Sequence, residues 1–154
     1  MIFEDLAEFR AACPPRRALL GLDLGTKTIG VAISDEGWRV ASPLETIRRK
    51  KFGADAEALL RLAAGRQAGG VVLGLPRNMD GSEGPRCQAT RAFARNLSHK
   101  TELPITFWDE RLSSVAAERA MLEADMNRTA RAERIDHIAA GLILQGALDR
   151  FGNL

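Results

Sequence analysis

Acidic residues at three separate places in this chain could act together in one reaction. The first is Asp23, which stands in the apolar run Gly21-Leu22-Asp23-Leu24-Gly25. Burying an unpaired charge is unfavourable, so a carboxylate in such a run is explained if it binds a cation. It is equally explained if Asp23 caps the turn that follows, which is a common role for aspartate. Position alone leaves both interpretations open.

The second place is the pair Asp109 and Glu110, which directly follows a short apolar segment. Ligands bind at the carboxyl ends of strands in open α/β sheets, so both acids are candidate catalytic residues. The alternative is a surface pair in which one of the acids meets Arg111 at the start of a helix.

The third place is Asp136, near the start of the last helical segment. Helical spacing groups Asp136 with Ala139, Ala140 and Ile143, a face that must pack on the sheet. A carboxylate on such a face is unusual, although an acid in a first helical turn also suits the helix dipole. His137 projects in another direction and is interpreted as an exposed helix residue.

These acids predict one site if the first strand, the end of a later strand and the last helix converge. Carboxylate ligands without a cluster of Cys or His favour a hard cation, Mg²⁺ or Mn²⁺, over zinc. Paired hard cations about 4 Å apart suit in-line displacement at phosphorus. The sequence therefore favours a metal-dependent enzyme that cleaves phosphodiester bonds.

The elements that would position these acids follow from the hydrophobic periodicity. An antiparallel meander is followed by strands linked through helices, which predicts a mixed α/β sheet of five strands, three antiparallel and then two parallel, with helices on both faces. The predicted strands are 18–24, 28–34, 40–47, 70–76 and 105–108, and the predicted helices are 54–67, 83–99, 114–124 and about 134–150.

Basic residues are candidate contacts for a polyanion, although the net charge is only +2. One run is Arg48-Arg49-Lys50-Lys51, and a second segment contains Arg128, Arg131 and Arg134. Such residues neutralise phosphates in nucleic-acid complexes, but charge runs are also common in solvated loops. Arg77 and Asn78 follow a predicted strand and could contact a phosphate or sugar, while Asn-Met-Asp-Gly is equally good turn chemistry.

Composition sets limits on the class of protein. With 154 residues, the chain is expected to form a single domain over 18–154, preceded by an extension over 1–17 that contains a short amphipathic helix ending before Pro14. No apolar run is long enough to cross a bilayer, and the N-terminus does not resemble a secretory signal. Cys13 and Cys87 show no pairing pattern, which favours a cytoplasmic, reduced protein.

Several motifs together resemble the YqgF/RuvX family. They are Gly21-Leu-Asp-Leu-Gly-Thr-Lys-Thr-Ile-Gly-Val-Ala32, Gly74-Leu-Pro-Arg-Asn-Met-Asp-Gly81, Asp109-Glu-Arg-Leu-Ser113 and Ile135-Asp-His-Ile-Ala-Ala140, in order between Ala18 and Leu148. The resemblance implies an RNase H-like fold and a bacterial cytoplasmic endonuclease that matures the 5′ end of the small-subunit ribosomal RNA precursor.

Carried over by position, the resemblance makes Asp23, Asp136 and one acid of the Asp109-Glu110 pair the metal ligands. Glu110 is favoured, but a shift of one residue in the strand would exchange it for Asp109. Lys27, Arg77, Asn78, Arg111, Arg48, Arg49 and Arg134 are the expected nucleic-acid contacts. The family often has Lys shortly before the helix Asp, where this chain has Glu133 and Arg134, so a phosphate contact there is less well supported.

Three other functions compete with this one. The first motif also resembles the phosphate-binding hairpin of sugar kinases and actin-like ATPases, but those proteins close two such domains around the nucleotide. A Holliday junction resolvase would use the same acids, and its symmetrical cleavage calls for a dimer. A non-catalytic nucleic-acid-binding or ribosome-associated factor would need only the basic segments. The choice between RNA and DNA, and between monomer and homodimer, stays open.

Overall fold

The structure is a computed structural model. It describes the backbone of residues 1–112 and 128–154 and the side chains of residues 1–112 and 138–154. The predicted helix over 114–124 lies outside the described residues. Within them, no helix is both long enough and apolar enough to span a membrane.

Six strands form one mixed sheet. In chain order they are β1 (Ile2–Phe3), β2 (Leu19–Leu24), β3 (Thr28–Ser34), β4 (Ala41–Arg48), β5 (Gly70–Leu75) and β6 (Ile105–Asp109). Their order across the sheet is β1-β6-β5-β2-β3-β4. β2, β3 and β4 pair antiparallel, and β2, β5, β6 and β1 pair parallel. The prediction of a mixed α/β sheet is confirmed.

The predicted number of five strands is one too few. The additional strand is β1, which pairs with β6 through Ile2 opposite Ile105 and Phe3 opposite Thr106. The Thr106 hydroxyl also donates to the carbonyl of Phe3 over 2.7 Å. The apolar spacing of Ile2, Phe3, Leu6 and Phe9 predicts that all four belong to the short helix before Pro14, and for Ile2 and Phe3 this prediction is wrong. A strand of two residues carries no local pattern, because its pairing partner lies about a hundred residues away in sequence.

Helices cover both faces of the sheet, as predicted. They are α1 (Leu6–Ala12), α2 (Phe52–Gly65), α3 (Pro85–Ser98) and α4 (Arg128–Phe151), and a 3₁₀ turn (Glu110–Leu112) follows β6. α2 and α3 bury apolar residues against one face, including Leu22 and Leu73 of the sheet. α1 and α4 pack on the other face, against Leu19, Val72 and Trp108. We call these the α2/α3 face and the α1/α4 face.

Residues 1–17 are part of the same folded unit. Asp5 begins α1 by accepting hydrogen bonds from the backbone N–H groups of Ala7 and Glu8, and Phe9 of α1 is fully buried. The Phe9 ring stacks on Phe151 at the end of α4, with centroids 5.8 Å apart. Cys13, which ends α1, is buried and not disulfide-bonded. The predicted helix before Pro14 is confirmed.

α4 lies close to the sheet because glycines face it. A Cβ atom added at Gly21 would lie 2.6 Å from Leu144 Cβ, and one at Gly74 would lie 2.3 Å from Ile143 Cδ1. Phe9 stacks on Phe151 and also lies against Gly70, the first residue of β5. Phe151, at the end of α4, is therefore near the amino end of β5. The helix therefore runs antiparallel to the parallel strands, and its first turns lie toward their carboxyl ends.

Candidate active site

Asp23 lies inside β2 on the α1/α4 face. Side chains alternate along a strand, so Leu19, Gly21 and Asp23 share the face on which Gly21 contacts α4. Asp23 is only 2% exposed, and its Cα pairs across the sheet with Gly30 of β3. The hairpin closes after it, where the Gly25 N–H donates to the Thr28 carbonyl over 2.9 Å. Asp23 thus belongs to the strand and not to the turn.

Glu110 lies beside Asp23 although the two are far apart in sequence. The Glu110 Cδ atom is 3.4 Å from the point where Gly74 would carry a Cβ, so the carboxyl group covers this glycine. The ladder of β2 and β5 places Leu22 opposite Leu73, and one step further it brings Asp23 next to Gly74. Neighbouring strands are about 4.8 Å apart, so both carboxyl groups occupy the same small area of the α1/α4 face.

Asp109 is held in a different way. The Arg111 guanidinium donates to both of its carboxylate oxygens, over 2.7 Å to Oδ2 and 3.1 Å to Oδ1, and the Arg111 backbone N–H donates over 3.0 Å. Partial burial opposes ionisation, but the bonds from Arg111 outweigh it and lower the pKa of Asp109. Glu110, by contrast, is 6% exposed. The predicted surface pair with Arg111 therefore exists, and it involves Asp109.

The structure describes the backbone of Asp136 but not its side chain. Within α4, the Ala140 carbonyl oxygen lies 3.1 Å from the Cβ position of Gly21. Asp136 is one helical turn earlier, about 6 Å along the axis toward the carboxyl ends of the strands. This places its backbone on the side of the sheet that carries Asp23 and Glu110. Among the side chains that the structure describes, no group of three acids, histidines or cysteines could hold a metal.

The basic run reaches the same edge of the sheet. The Arg49 N–H donates to the Lys27 carbonyl over 2.8 Å, and the Arg49 guanidinium donates to the Gly25 carbonyl over 2.7 Å. Arg48 ends β4 opposite Thr28, at the hairpin that follows Asp23. Lys27, Arg48 and Arg49 therefore lie together beside this hairpin. Arg134 lies in α4, and its side chain is outside the described residues.

Arg86 was missed by the sequence reasoning. Its guanidinium approaches the Leu24 carbonyl at 3.4 Å, which adds a cation to the hairpin that carries Asp23. Its position in the first turn of α3, directly after Pro85, was a usable signal. Pro favours the first position of a helix, and helix N-termini attract anions.

Arg77 and Asn78 lie in the segment that follows β5. The Asn78 N–H donates to the Ser82 carbonyl over 3.0 Å, and its side-chain amide donates to the Ser82 hydroxyl over 3.0 Å. Arg77 pairs with Glu83 at 3.3 Å, and its buried Nε has no hydrogen-bond acceptor among the described residues. Asn78 therefore organises the turn, and Arg77 keeps an uncommitted donor.

Comparison with known proteins places this arrangement in a family. A family model described as RuvX, Holliday junction resolvase, matches residues 17–150. The chain belongs to the RuvX family. A relative in Ruegeria pomeroyi is 70% identical over 154 residues, which cover all of both chains. A relative in Rhodobacter capsulatus is 66% identical over 154 residues, which cover 100% of this chain and 97% of that relative. Both are named "Putative pre-16S rRNA nuclease".

Solved structures show the fold. Thermus thermophilus RuvC in complex with a Holliday junction substrate aligns with a TM-score of 0.52 at 13% identity, over 88% of this chain and 96% of that chain. A second structure of Thermus thermophilus RuvC gives the same TM-score and identity, over 88% of this chain and 97% of that chain. The RNase H-like fold that the family resemblance implied is thereby confirmed.

Proposed function

We propose that this chain is an endonuclease that cleaves the precursor of the small-subunit ribosomal RNA near its 5′ end in the cytoplasm. The observation that supports it most is the placement of Glu110 over Gly74, next to Asp23. Two buried carboxylates on one face, at the carboxyl ends of parallel strands, suit phosphodiester hydrolysis. The substrate is inferred from the relatives named for pre-16S rRNA.

The residues present fit a hard divalent cation. Asp23 and Glu110 are both buried and offer only oxygen ligands, which hard divalent cations prefer. Gly74 leaves the space that the Glu110 carboxyl group occupies. Cys13 and Cys87 are buried elsewhere in the two apolar clusters. We therefore assign Mg²⁺ or Mn²⁺ to Asp23, Glu110 and Asp136, with Asp109 outside the ligand set.

When bound, such a cation polarises the phosphate and lowers the pKa of a water nucleophile. The chain supplies the rest. β2 and the 3₁₀ turn hold the two carboxylates on buried, hydrogen-bonded backbone, which suits a preorganised site. Lys27, Arg48 and Arg49 bind phosphates beside the hairpin and hold the RNA strand in register. Such contacts contribute affinity but no sequence specificity.

Incubating the purified protein with precursor ribosomal RNA and with four-way DNA, each with and without Mn²⁺, tests this function. We expect cleavage of the RNA near its 5′ end in Mn²⁺ and none in EDTA. Asp23→Asn should reduce the rate by about a thousandfold or more, equivalent to about 4 kcal/mol of transition-state stabilisation. Glu102→Gln removes an exposed carboxylate at the opposite end of the sheet and should cleave normally.

Two of the alternative functions have their own outcomes in this experiment. Cleavage of four-way DNA without cleavage of RNA would support the Holliday junction resolvase. Wild-type activity in a folded Asp23→Asn variant would support the non-catalytic binding factor. Cleavage that persists in EDTA would contradict the metal-dependent mechanism.

A further inference from the structure

The segment after β5 forms a tight turn held by its own side chains. The Gly81 N–H donates to the Asn78 carbonyl over 2.9 Å, which closes the turn. Asp80 Oδ1 accepts from the Ser82 N–H over 2.9 Å and from its hydroxyl over 2.6 Å. Gly81 has a φ of +89°, a conformation that favours glycine. With these bonds in place, residues 78–82 form a preorganised loop.

The tip of this turn is apolar and faces solvent. Met79 is 82% exposed, and Leu112, in the 3₁₀ turn after β6, is 69% exposed. Single exposed apolar residues are ordinary on protein surfaces and need no explanation by themselves. These two differ because both follow strands whose carboxyl ends meet at the candidate active site.

Arg111 joins the two segments that carry these side chains. Its guanidinium donates to the Met79 carbonyl over 3.4 Å while it also holds Asp109, and Leu112 is the next residue along the chain. A Cβ atom at Gly81 would lie 3.3 Å from Arg111 Nη1, so this glycine lets the guanidinium pack against the turn. Met79 and Leu112 are thus displayed on linked backbone beside Glu110.

We propose that Met79 and Leu112 contact the bases next to the scissile phosphate, with Met79 inserted between neighbouring bases. This inference rests on the proposed nuclease function. Apolar side chains inserted between bases unstack them without reading their sequence. The cations beside the β2–β3 hairpin lie on the other side of Asp23 and suit the phosphate backbone. The two flanks of the site therefore hold different parts of the same polynucleotide.

Fluorescence of 2-aminopurine, which rises when the base unstacks, tests the proposal. A double-stranded segment of the RNA carries the probe beside the cleavage position and is mixed with the Asp23→Asn protein in Mg²⁺, so that binding occurs without turnover. We expect fluorescence to rise about twofold or more on binding, and to rise far less when Met79→Ala is added. Val40→Ala is the matched control, because Val40 is also an exposed apolar residue, at 59%, in the β3–β4 connection.

Cleavage rates of Met79 variants that keep Asp23 distinguish a contact with the bases from a general effect of the substitution on folding. Met79→Ala should cleave paired RNA about tenfold more slowly, yet cleave RNA with unpaired bases at the same position within about twofold of wild type. Met79→Leu should retain the wild-type preference, because it keeps an apolar side chain of similar size. Normal cleavage with no fluorescence change overturns the base contact and leaves the nuclease function standing. Absence of cleavage on either RNA overturns the nuclease function itself.

Discussion

The two faces of the sheet are built on different principles. On the α2/α3 face, large apolar side chains such as Leu22, Leu73 and Phe93 fill the space between helices and strands. On the α1/α4 face, Gly21 and Gly74 let α4 approach so closely that an added Cβ would overlap it. The first arrangement maximises buried apolar area, and the second holds a helix at a fixed, short distance from the sheet.

The candidate catalytic acids Asp23 and Glu110 lie where the second arrangement ends. Asp23 continues the row of Leu19 and Gly21 on β2, and the Glu110 carboxyl group covers Gly74. A close helix carries the backbone of Asp136 to the same region. The comparison suggests that the α1/α4 face positions charged groups at the expense of apolar packing. The α2/α3 face supplies stability.

The largest effect is expected from the two substitutions that distinguish the role of Glu110 from that of Asp109. Glu110→Gln removes a buried carboxylate next to Asp23 and should lower the cleavage rate by about a thousandfold or more. Asp109→Asn weakens a partly exposed pair with Arg111, and its effect should be about fivefold or less. Single-turnover cleavage in Mn²⁺ measures both. The reverse ranking would make Asp109 the ligand and would overturn the assignment made from the structure.

This pair also shows how far sequence reasoning reached. The apolar run over 28–34 predicted β3 with its observed bounds, Thr28–Ser34, because its pattern is local. A proline cannot donate within a central strand, so Pro43 predicts an edge strand or a bulge for the segment over 40–47. Pro43 lies in the edge strand β4, where the pairing with β3 shifts register between Val31 and Ala32. The acids in the first motif and after β6 could be selected by type and position. The family resemblance favoured Glu110 over Asp109, but the local sequence alone left both open, because the choice depends on the 3₁₀ turn and on the bonds from Arg111.

On the α2/α3 face, a core truncation should affect stability alone. Leu97 of α3 is 1% exposed, and Leu97→Ala should lower the free energy of unfolding by about 2–5 kcal/mol through lost burial and a cavity. Urea unfolding followed by circular dichroism measures this change. The cleavage rate per folded molecule should stay near wild type. A large fall in that rate would mean that the two faces do not divide stability and function as proposed.

On the α1/α4 face, adding one methyl group should be harmful. Gly21→Ala would place Cβ 2.6 Å from Leu144 Cβ and near the Ala140 carbonyl, which forces α4 away from the sheet. We expect a loss of about 1–3 kcal/mol in unfolding free energy, together with slower cleavage, since the acids move apart. The control is Gly53→Ala in α2, where an added Cβ meets nothing within 4 Å. That change should stabilise the protein by up to about 1 kcal/mol, because Ala favours a helix over Gly.

The smallest expected effect is a difference in the reactivity of two buried thiols, one on each face of the sheet. Cys13 lies on the α1/α4 face and Cys87 on the α2/α3 face, and both thiols are buried and free. Burial raises the pKa of Cys13 to about 12 and also raises the pKa of Cys87. At about pH 8, the Cys13 thiolate fraction is therefore roughly one in ten thousand, so an aromatic disulfide reagent should react slowly with the native protein.

Cys13 should nevertheless react faster than Cys87, since α1 has only 7 residues and can open locally without unfolding the sheet. The Cys87→Ser and Cys13→Ser variants report each thiol separately by the absorbance of the released product. Because only the thiolate reacts, the rate for Cys13 should increase as the pH is raised from about 7 to about 9. Equal rates for the two thiols would mean that they become exposed only by global unfolding. In that case α1 is as firmly held as the core beneath α3, and the N-terminal residues contribute to stability as fully as the rest of the sheet.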